Sequence, residues 1–149
     1  MDLKLLFSEL IRFETEIWNA IDDRLRADFD LPLSRFEPMQ VIARRHNCRV
    51  QDIAADLVIT VGGTSKLVDR IEAAGHCRRL ANPADRRSSI LELTPAGKRL
   101  LTKASAVLDA ELERRLTEAL PQRSLRQFAV TLERLRAAGH AVDAPTGAA

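Results

Sequence analysis

Residues 60–94 read TVGGTSKLVDRIEAAGHCRRLANPADRRSSILELT, and the rest of the chain can be placed around them. Thr60 is a residue type that caps helices, because its hydroxyl can accept an otherwise unpaired backbone N–H. Leu67, Val68 and Ile71 fall on one helical face. Gly75 marks a helix stop, since glycine enters the left-handed region without steric cost. Beyond it, Cys77–Leu80 and Ile90–Leu93 flank Asn82-Pro83-Ala84-Asp85-Arg86-Arg87-Ser88, where an Asn-Pro pair and a polar cluster are turn chemistry. The stretch therefore predicts a short helix, a glycine stop and a basic β-hairpin.

Upstream, Leu3, Leu6, Phe7, Leu10, Ile17, Trp18, Ile21 and Leu25 recur at threes and fours, which predicts one amphipathic helix from Leu3 to about Phe29. Ile11, Phe13 and Phe29 widen its apolar face beyond what one neighbour covers, so a second partner surface is expected. Trp18 has two readings, a core side chain or the wall of a ligand cavity. Asp30–Ser34 is a connector in which Pro32 excludes helix and Ser34 is the expected cap. A helix over about Arg35–Arg45 follows, then a loop or one-bridge strand at His46–Arg49. A short helix over Val50–Leu57 turns inward through Ile53, Ala54 and Leu57. Two short helices joined by a tight turn and followed by a hairpin make a helix-turn-helix with a wing.

Downstream, Thr94-Pro95 opens a helix, with a cap followed by proline at the first helical position. Leu101, Ala104, Leu108, Leu112, Leu116 and Leu120 extend it for about seven turns. Pro121 divides it from a last stripe of Leu125, Phe128, Leu132 and Leu135 that closes near Gly139.

The 149 residues suit one domain with helical extensions and an ordinary soluble composition, 46% hydrophobic and 30% charged. No apolar run reaches the roughly 18 residues that a membrane span needs. The N-terminus lacks the layout of a signal peptide, and two cysteines, Cys48 and Cys77, make no disulfide framework, so a cytoplasmic location is expected. The net charge of +2 is unevenly spread: residues 1–30 carry 4 basic and 8 acidic side chains, whereas 60–87 carry 6 basic and 3 acidic. A local positive field of this kind suits a polyanion. Nothing points to catalysis, cofactor or metal: His46, His76 and His140 are scattered, and Gly62-Gly63-Thr64-Ser65-Lys66 lacks the Gly-Lys-Ser/Thr ending of a nucleotide-binding loop.

With these residues in place, the chain resembles the MarR family of bacterial transcriptional regulators over nearly its whole length. The resemblance is carried by Ile53-Ala54-Ala55-Asp56-Leu57, by Leu67-Val68-Asp69-Arg70-Ile71-Glu72 with Gly75 and Arg79, and above all by Asp85-Arg86-Arg87 followed by Leu93-Thr94-Pro95-Ala96-Gly97. It implies a mainly α fold: a winged helix-turn-helix with long N- and C-terminal dimerisation helices and a small β-hairpin wing. The divisions would be a dimerisation helix at 1–30, a DNA-binding region at 31–94, further dimerisation helices at 95–140 and a flexible tail at 141–149. It also implies a homodimer on the double-stranded DNA of a palindromic operator, probed by Gly62, Gly63, Thr64, Ser65, Lys66, Arg70, Arg79, Asp85, Arg86 and Arg87. Arg87 resembles the wing arginine of the minor groove and Asp85 the carboxylate that orients it. A small-molecule effector bound between the dimer helices and the winged helix, with Trp18 as one contact, would release a repressor.

Two departures stand out. Arg49 occupies a position where the family often has Ser or Thr, which shifts the expected cap to Asn47. The two glycines at 62 and 63 each cost about 1 kcal/mol relative to alanine in a helix. They either permit close approach to phosphates or mark a helix that starts late. Two other functions stay open on the residues alone: a thiol-based sensor using Cys48 or Cys77, each beside an arginine, and a helical dimer that binds protein.

Overall fold

A computed structural model describes residues 1–143, with side chains through residue 140. Among them are six α-helices and one antiparallel hairpin: α1 (Leu3–Phe29), α2 (Leu33–Arg44), α3 (Val50–Leu57), α4 (Val61–Ala73), β1 (Cys77–Ala81), β2 (Ser89–Leu93), α5 (Pro95–Leu112) and α6 (Gln122–Asp143). This is the mainly α winged helix-turn-helix expected from the sequence. Two compact units divide the chain, Met1–Asp109 and a second from Ala110 onward.

In the first unit α2 is the central element, packing against α1, α3, α4 and β2. Its buried Phe36, Met39, Val41 and Ile42 meet a core that includes Leu25, Ile53, Val68 and Ile71. The start of α2 differs from expectation. Pro32 is its N-cap residue and Ser34 lies within the helix. The free Leu33 N–H instead donates to Asp22 Oδ1 of α1 at 2.7 Å, so a side chain of one helix caps the next. Asp56 of α3 accepts from Arg44 Nη2 at 3.2 Å and Arg45 Nε at 3.0 Å, which fastens the end of α2 to α3.

Arg49, and not Asn47, is the N-cap residue of α3, and Asn47 takes a left-handed turn conformation with φ 52°. The helix start is secured from inside, because Asp52 Oδ2 accepts the Arg49 N–H at 2.9 Å. The Cys48 carbonyl accepts the Leu91 N–H at 2.7 Å, a single bridge to β2. Val58 ends α3 in the left-handed region, φ 55°, which costs a β-branched residue about 1 kcal/mol and turns the chain sharply into α4.

Thr60 caps α4, accepting the Gly63 N–H at 3.1 Å. At the other end Gly75 N–H donates to Glu72 O at 2.8 Å and His76 N–H to Ile71 O at 3.0 Å, with Gly75 at φ 79°. This paired closure satisfies the last carbonyls and requires glycine. Thr94 then docks onto it: its N–H donates to His76 O at 3.0 Å and its hydroxyl to Gly75 O at 2.6 Å, while Thr94 Oγ1 accepts the Gly97 N–H at 3.1 Å. The hairpin between these points pairs Cys77 with Leu93 through to Ala81 with Ser89.

The seven-turn helix expected from Thr94 to Leu120 is interrupted. After α5 the backbone widens into a π-helical turn over Glu113–Thr117, with Glu118 N–H donating to Glu113 O at 3.1 Å. Such a turn shifts the phase of the face that follows, so Leu116 and Leu120 do not continue one leucine seam. The last helix runs through Gly139 to Asp143. Of the tail expected at 141–149, residues 141–143 complete α6, and 144–149 lie outside the described residues. No described side chain from residue 110 onward is buried within the chain.

A Cβ added at Gly97 would lie 2.0 Å from the His76 carbonyl oxygen, whereas one at Gly62 meets nothing within 4 Å. Gly97→Ala should therefore lower stability by about 3 kcal/mol, and Gly62→Ala should raise it by up to about 1 kcal/mol. Urea unfolding of the two variants checks both signs.

Candidate nucleic-acid interface

The faces of α4 follow from its apolar period. Thr64, Val68 and Ile71 point inward, and Thr64 is 0% exposed, its hydroxyl donating to Thr60 O at 2.7 Å. This corrects the expectation that Thr64 offers its hydroxyl to DNA: it lies on the same stripe as the core residues four and seven positions on. Lys66 and Arg70, one turn apart, are exposed on the outer side, and Ser65 is half-buried. The two glycines belong to the first turn of a helix that begins at Val61, so the late start is also corrected. A Cβ at residue 63 would stand 3.0 Å from Thr60 Oγ1, so Gly63 leaves room for the capping hydroxyl. Gly62 is open to solvent, beside an exposed Val61 that the sequence reading passed over.

The wing tip is built by two side chains acting on backbone. Asn82 Oδ1 accepts the Ala84 N–H at 3.0 Å, and its amide donates to Ser88 Oγ at 2.9 Å across the loop. Asp85 Oδ1 accepts the Arg87 N–H at 2.9 Å. Asp85 therefore acts on Arg87 through its backbone, with no ion pair to the guanidinium. Arg86 and Arg87 are exposed at the tip.

Arg79 is also placed differently from expectation. Its guanidinium donates to Glu72 Oε2 and Asp69 Oδ1, both at 2.7 Å, bracing β1 against α4. Burial draws its pKa down, but these two hydrogen bonds outweigh that and leave it raised. Arg78 pairs with Glu92, the residue opposite it across the hairpin, at 2.6 Å. Four of the six cations in residues 60–87 remain, Lys66, Arg70, Arg86 and Arg87. Among the described residues none of these four has a carboxylate within 4.0 Å, so their charge is available to an external anion.

Neither cysteine suits a reactive thiol. Cys48 and Cys77 are buried, and burial pushes both thiols up to about 11, with Asp52 and Glu72 respectively adding to the shift. The neighbouring arginines do not offset this, because Arg49 is held by Asp52, Arg78 by Glu92 and Arg79 by Asp69 and Glu72. Among the described residues no group of three or more His, Cys, Asp or Glu could hold a metal, and no helix is long and apolar enough to cross a membrane.

Trp18 is 38% exposed in the chain, so it is not the buried core residue of the first alternative. It lines a cavity of about 390 Å³ with Ser34 and Glu37 of α2, Asp56 and Leu57 of α3, Ile59, and Leu67 of α4. Only Trp18 carried a sequence signal, because the walls come from four separate elements and share no spacing.

This geometry defines a winged helix-turn-helix with free cations on its second helix and wing tip. The MarR family model matches residues 31–89. An uncharacterized HTH-type transcriptional regulator, YfiV of Bacillus subtilis (strain 168), is 27% identical over 71 residues; the match spans 48% of this chain and only 44% of that protein. Among solved structures, the transcriptional repressor CouR bound to a 23-mer DNA duplex is 26% identical, covers 89% of this chain and 93% of its own, and superposes with a TM-score of 0.81. CouR from Rhodococcus jostii RHA1 bound to p-coumaroyl-CoA is similar over 99% of this chain and 96% of its own, at 23% identity and TM-score 0.76. Sco3205, a MarR family regulator from Streptomyces coelicolor in complex with DNA, reaches a TM-score of 0.84 at 20% identity, over 98% of this chain and 91% of its own. The family match falls on the helix-turn-helix and wing of this chain, and the fold is the one seen in solved MarR-family transcriptional regulators.

Burial of both thiols predicts slow alkylation. Iodoacetamide at neutral pH should leave Cys48 and Cys77 unmodified in the folded protein and label both in urea, read by mass spectrometry. Rapid labelling of either in the native state would reinstate a thiol sensor.

Proposed function

We propose that this chain is a homodimeric transcriptional repressor that binds a palindromic operator and is released by a small-molecule effector. The observation that carries the reading is the set of unpaired cations, Lys66 and Arg70 on the outer face of α4 and Arg86 and Arg87 at the wing tip. A helix presented to the major groove with a basic wing beside it suits duplex DNA, and two relatives of this fold are seen on DNA. Lys66 and Arg70 serve phosphates or base edges, Gly62 allows close backbone approach, and Arg87 enters the minor groove, where arginine reads width and potential.

In this reading residues 31–94 bind DNA, while 1–30 and 95–140 dimerise. The support is the apolar surface a single chain leaves uncovered. On α1, Leu3, Leu6, Phe7, Leu10 and Phe13 are exposed; on α6, Phe128, Leu132 and Leu135 are exposed. The cost of ordering about 30 residues with no buried side chain of their own is met by association with a second copy. Half-sites one turn apart require recognition helices about 34 Å apart, so a ligand that rotates either one would disrupt the fit. The effector cavity is the one lined by Trp18, a reading supported by the complex of CouR, which shares this fold, with p-coumaroyl-CoA.

Four free cations per protomer predict steep salt dependence, a slope of log affinity against log salt of about −7 if all eight in the dimer meet phosphates. Arg87→Ala should weaken operator binding by about 1–3 kcal/mol, whereas Arg79→Ala should mainly lower thermal stability. Fluorescence anisotropy on operator DNA checks the first, and a flat salt response would exclude DNA as the partner. Leu132→Arg should convert the dimer to monomer in sedimentation, with most of the helical circular dichroism of the protein retained.

A further inference from the structure

We propose that the cavity beside Trp18 takes a lipophilic cation, an apolar or aromatic body carrying a protonated or quaternary amine; its role as effector rests on the regulator reading above. The walls are of two kinds. Trp18, Leu57, Ile59 and Leu67 give apolar surface, while Glu37 and Asp56 are the charged groups, and no Lys, Arg or His lines the space. The two carboxylates are not equivalent. Asp56 is already neutralised by Arg44 and Arg45. Glu37 has no ion-pair partner within 4.0 Å and no side-chain hydrogen bond among the described residues, although it is half-buried. Its pKa is raised by burial, which the more distant Arg44 only partly opposes, as expected for a carboxylate short of a counterion.

A cation with apolar substituents satisfies both kinds of wall. Its charge supplies the partner Glu37 lacks, and the indole face of Trp18 attracts it through the ring quadrupole. Its apolar part covers Leu57, Ile59 and Leu67. A neutral guest would bury Glu37 further without pairing it, and an anion would face a carboxylate across low-dielectric space. A volume of about 390 Å³ lies within the range of small-ligand sites. Because Trp18 belongs to α1 and Leu67 to α4, a guest touches the N-terminal helix and the recognition helix together. That contact gives it leverage on the position of α4.

The chain has one tryptophan and no tyrosine, so intrinsic indole fluorescence reports on this cavity alone. The full-length protein is titrated with benzyltrimethylammonium and, separately, with phenylmethanesulfonate, a probe of similar size and opposite charge. The cation should quench or shift Trp18 emission saturably and the anion should not. Glu37→Gln, isosteric and uncharged, should weaken the cation about tenfold or more, with unchanged thermal melting. Equal response to both probes, no saturable response to the cation, or full affinity in a folded Glu37→Gln variant would overturn the proposal. Operator anisotropy in the same solutions tests the role. Release by the cation supports an effector, and cation binding with the operator still held would overturn that role. A protein that never binds operator would overturn the regulator reading and leave the result for the cavity standing.

Discussion

The backbone around His76 is where the winged helix is locked together. Its N–H closes α4, its carbonyl accepts from Thr94, and the same carbonyl approaches Gly97 so closely that no Cβ fits. The neighbouring Gly75 carbonyl takes the Thr94 hydroxyl, whose oxygen in turn caps α5. The C-terminus of α4, the base of the hairpin and the start of α5 are thus fixed within a few ångströms of one another. Because both ends of the hairpin leave from this junction, the wing tip has a defined position relative to α4. Hydrogen bonds of this kind contribute only about 1 kcal/mol each. Their importance here is geometric, since they are short, mutually dependent and intolerant of a single added methyl.

Charge is distributed by a second set of pairings. The stretch around α4 and the wing is rich in arginine, but Arg78 and Arg79 are held by carboxylates, and so are Arg44, Arg45 and Arg49 nearby. The Asp56 pairs brace α2 to α3, and the Arg79 pairs brace the hairpin to α4. Except for those of the half-buried Arg79, these pairs are largely exposed and add little to global stability. Their effect is to leave a small free set at two places, the outer face of α4 and the tip of the wing. Those are the positions from which a helix and a β-ribbon can reach adjacent grooves of a duplex.

The sequence was informative where the cause of structure is local. The caps at Thr60 and Thr94, the stop at Gly75 and the turn at Asn82–Ser88 each depend on one or two side chains acting on nearby backbone, and all stand where the residues indicated. The amphipathic period of α1 placed that helix over Leu3–Phe29 for the same reason. The outcome differed where another group took over a cap or where the backbone itself left the regular period. Ser34 does not cap α2 because Asp22, eleven residues before Leu33 in α1, supplies the acceptor. Asn47 does not cap α3 because Asp52 closes its start from inside. The leucine spacing after Thr94 suggested an unbroken helix, yet the backbone widens at Glu113, a change that spacing alone does not encode.

At the candidate site the same division holds. The residue types and order in Thr60–Thr94 determined that a helix ending at Gly75 would be followed by a basic hairpin and an α5 capped by Thr94, because each of those features follows from short-range stereochemistry. Only the tertiary structure decided which of the candidate side chains face outward with free charge. Thr64 turned into the core with Val68 and Ile71, Arg79 was taken by Asp69 and Glu72, and Asp85 acted on the backbone of Arg87, leaving Lys66, Arg70, Arg86 and Arg87 unpaired. It alone assembled a cavity around Trp18 with an unpaired Glu37, since four elements meet there and burial and pairing depend on all of them at once.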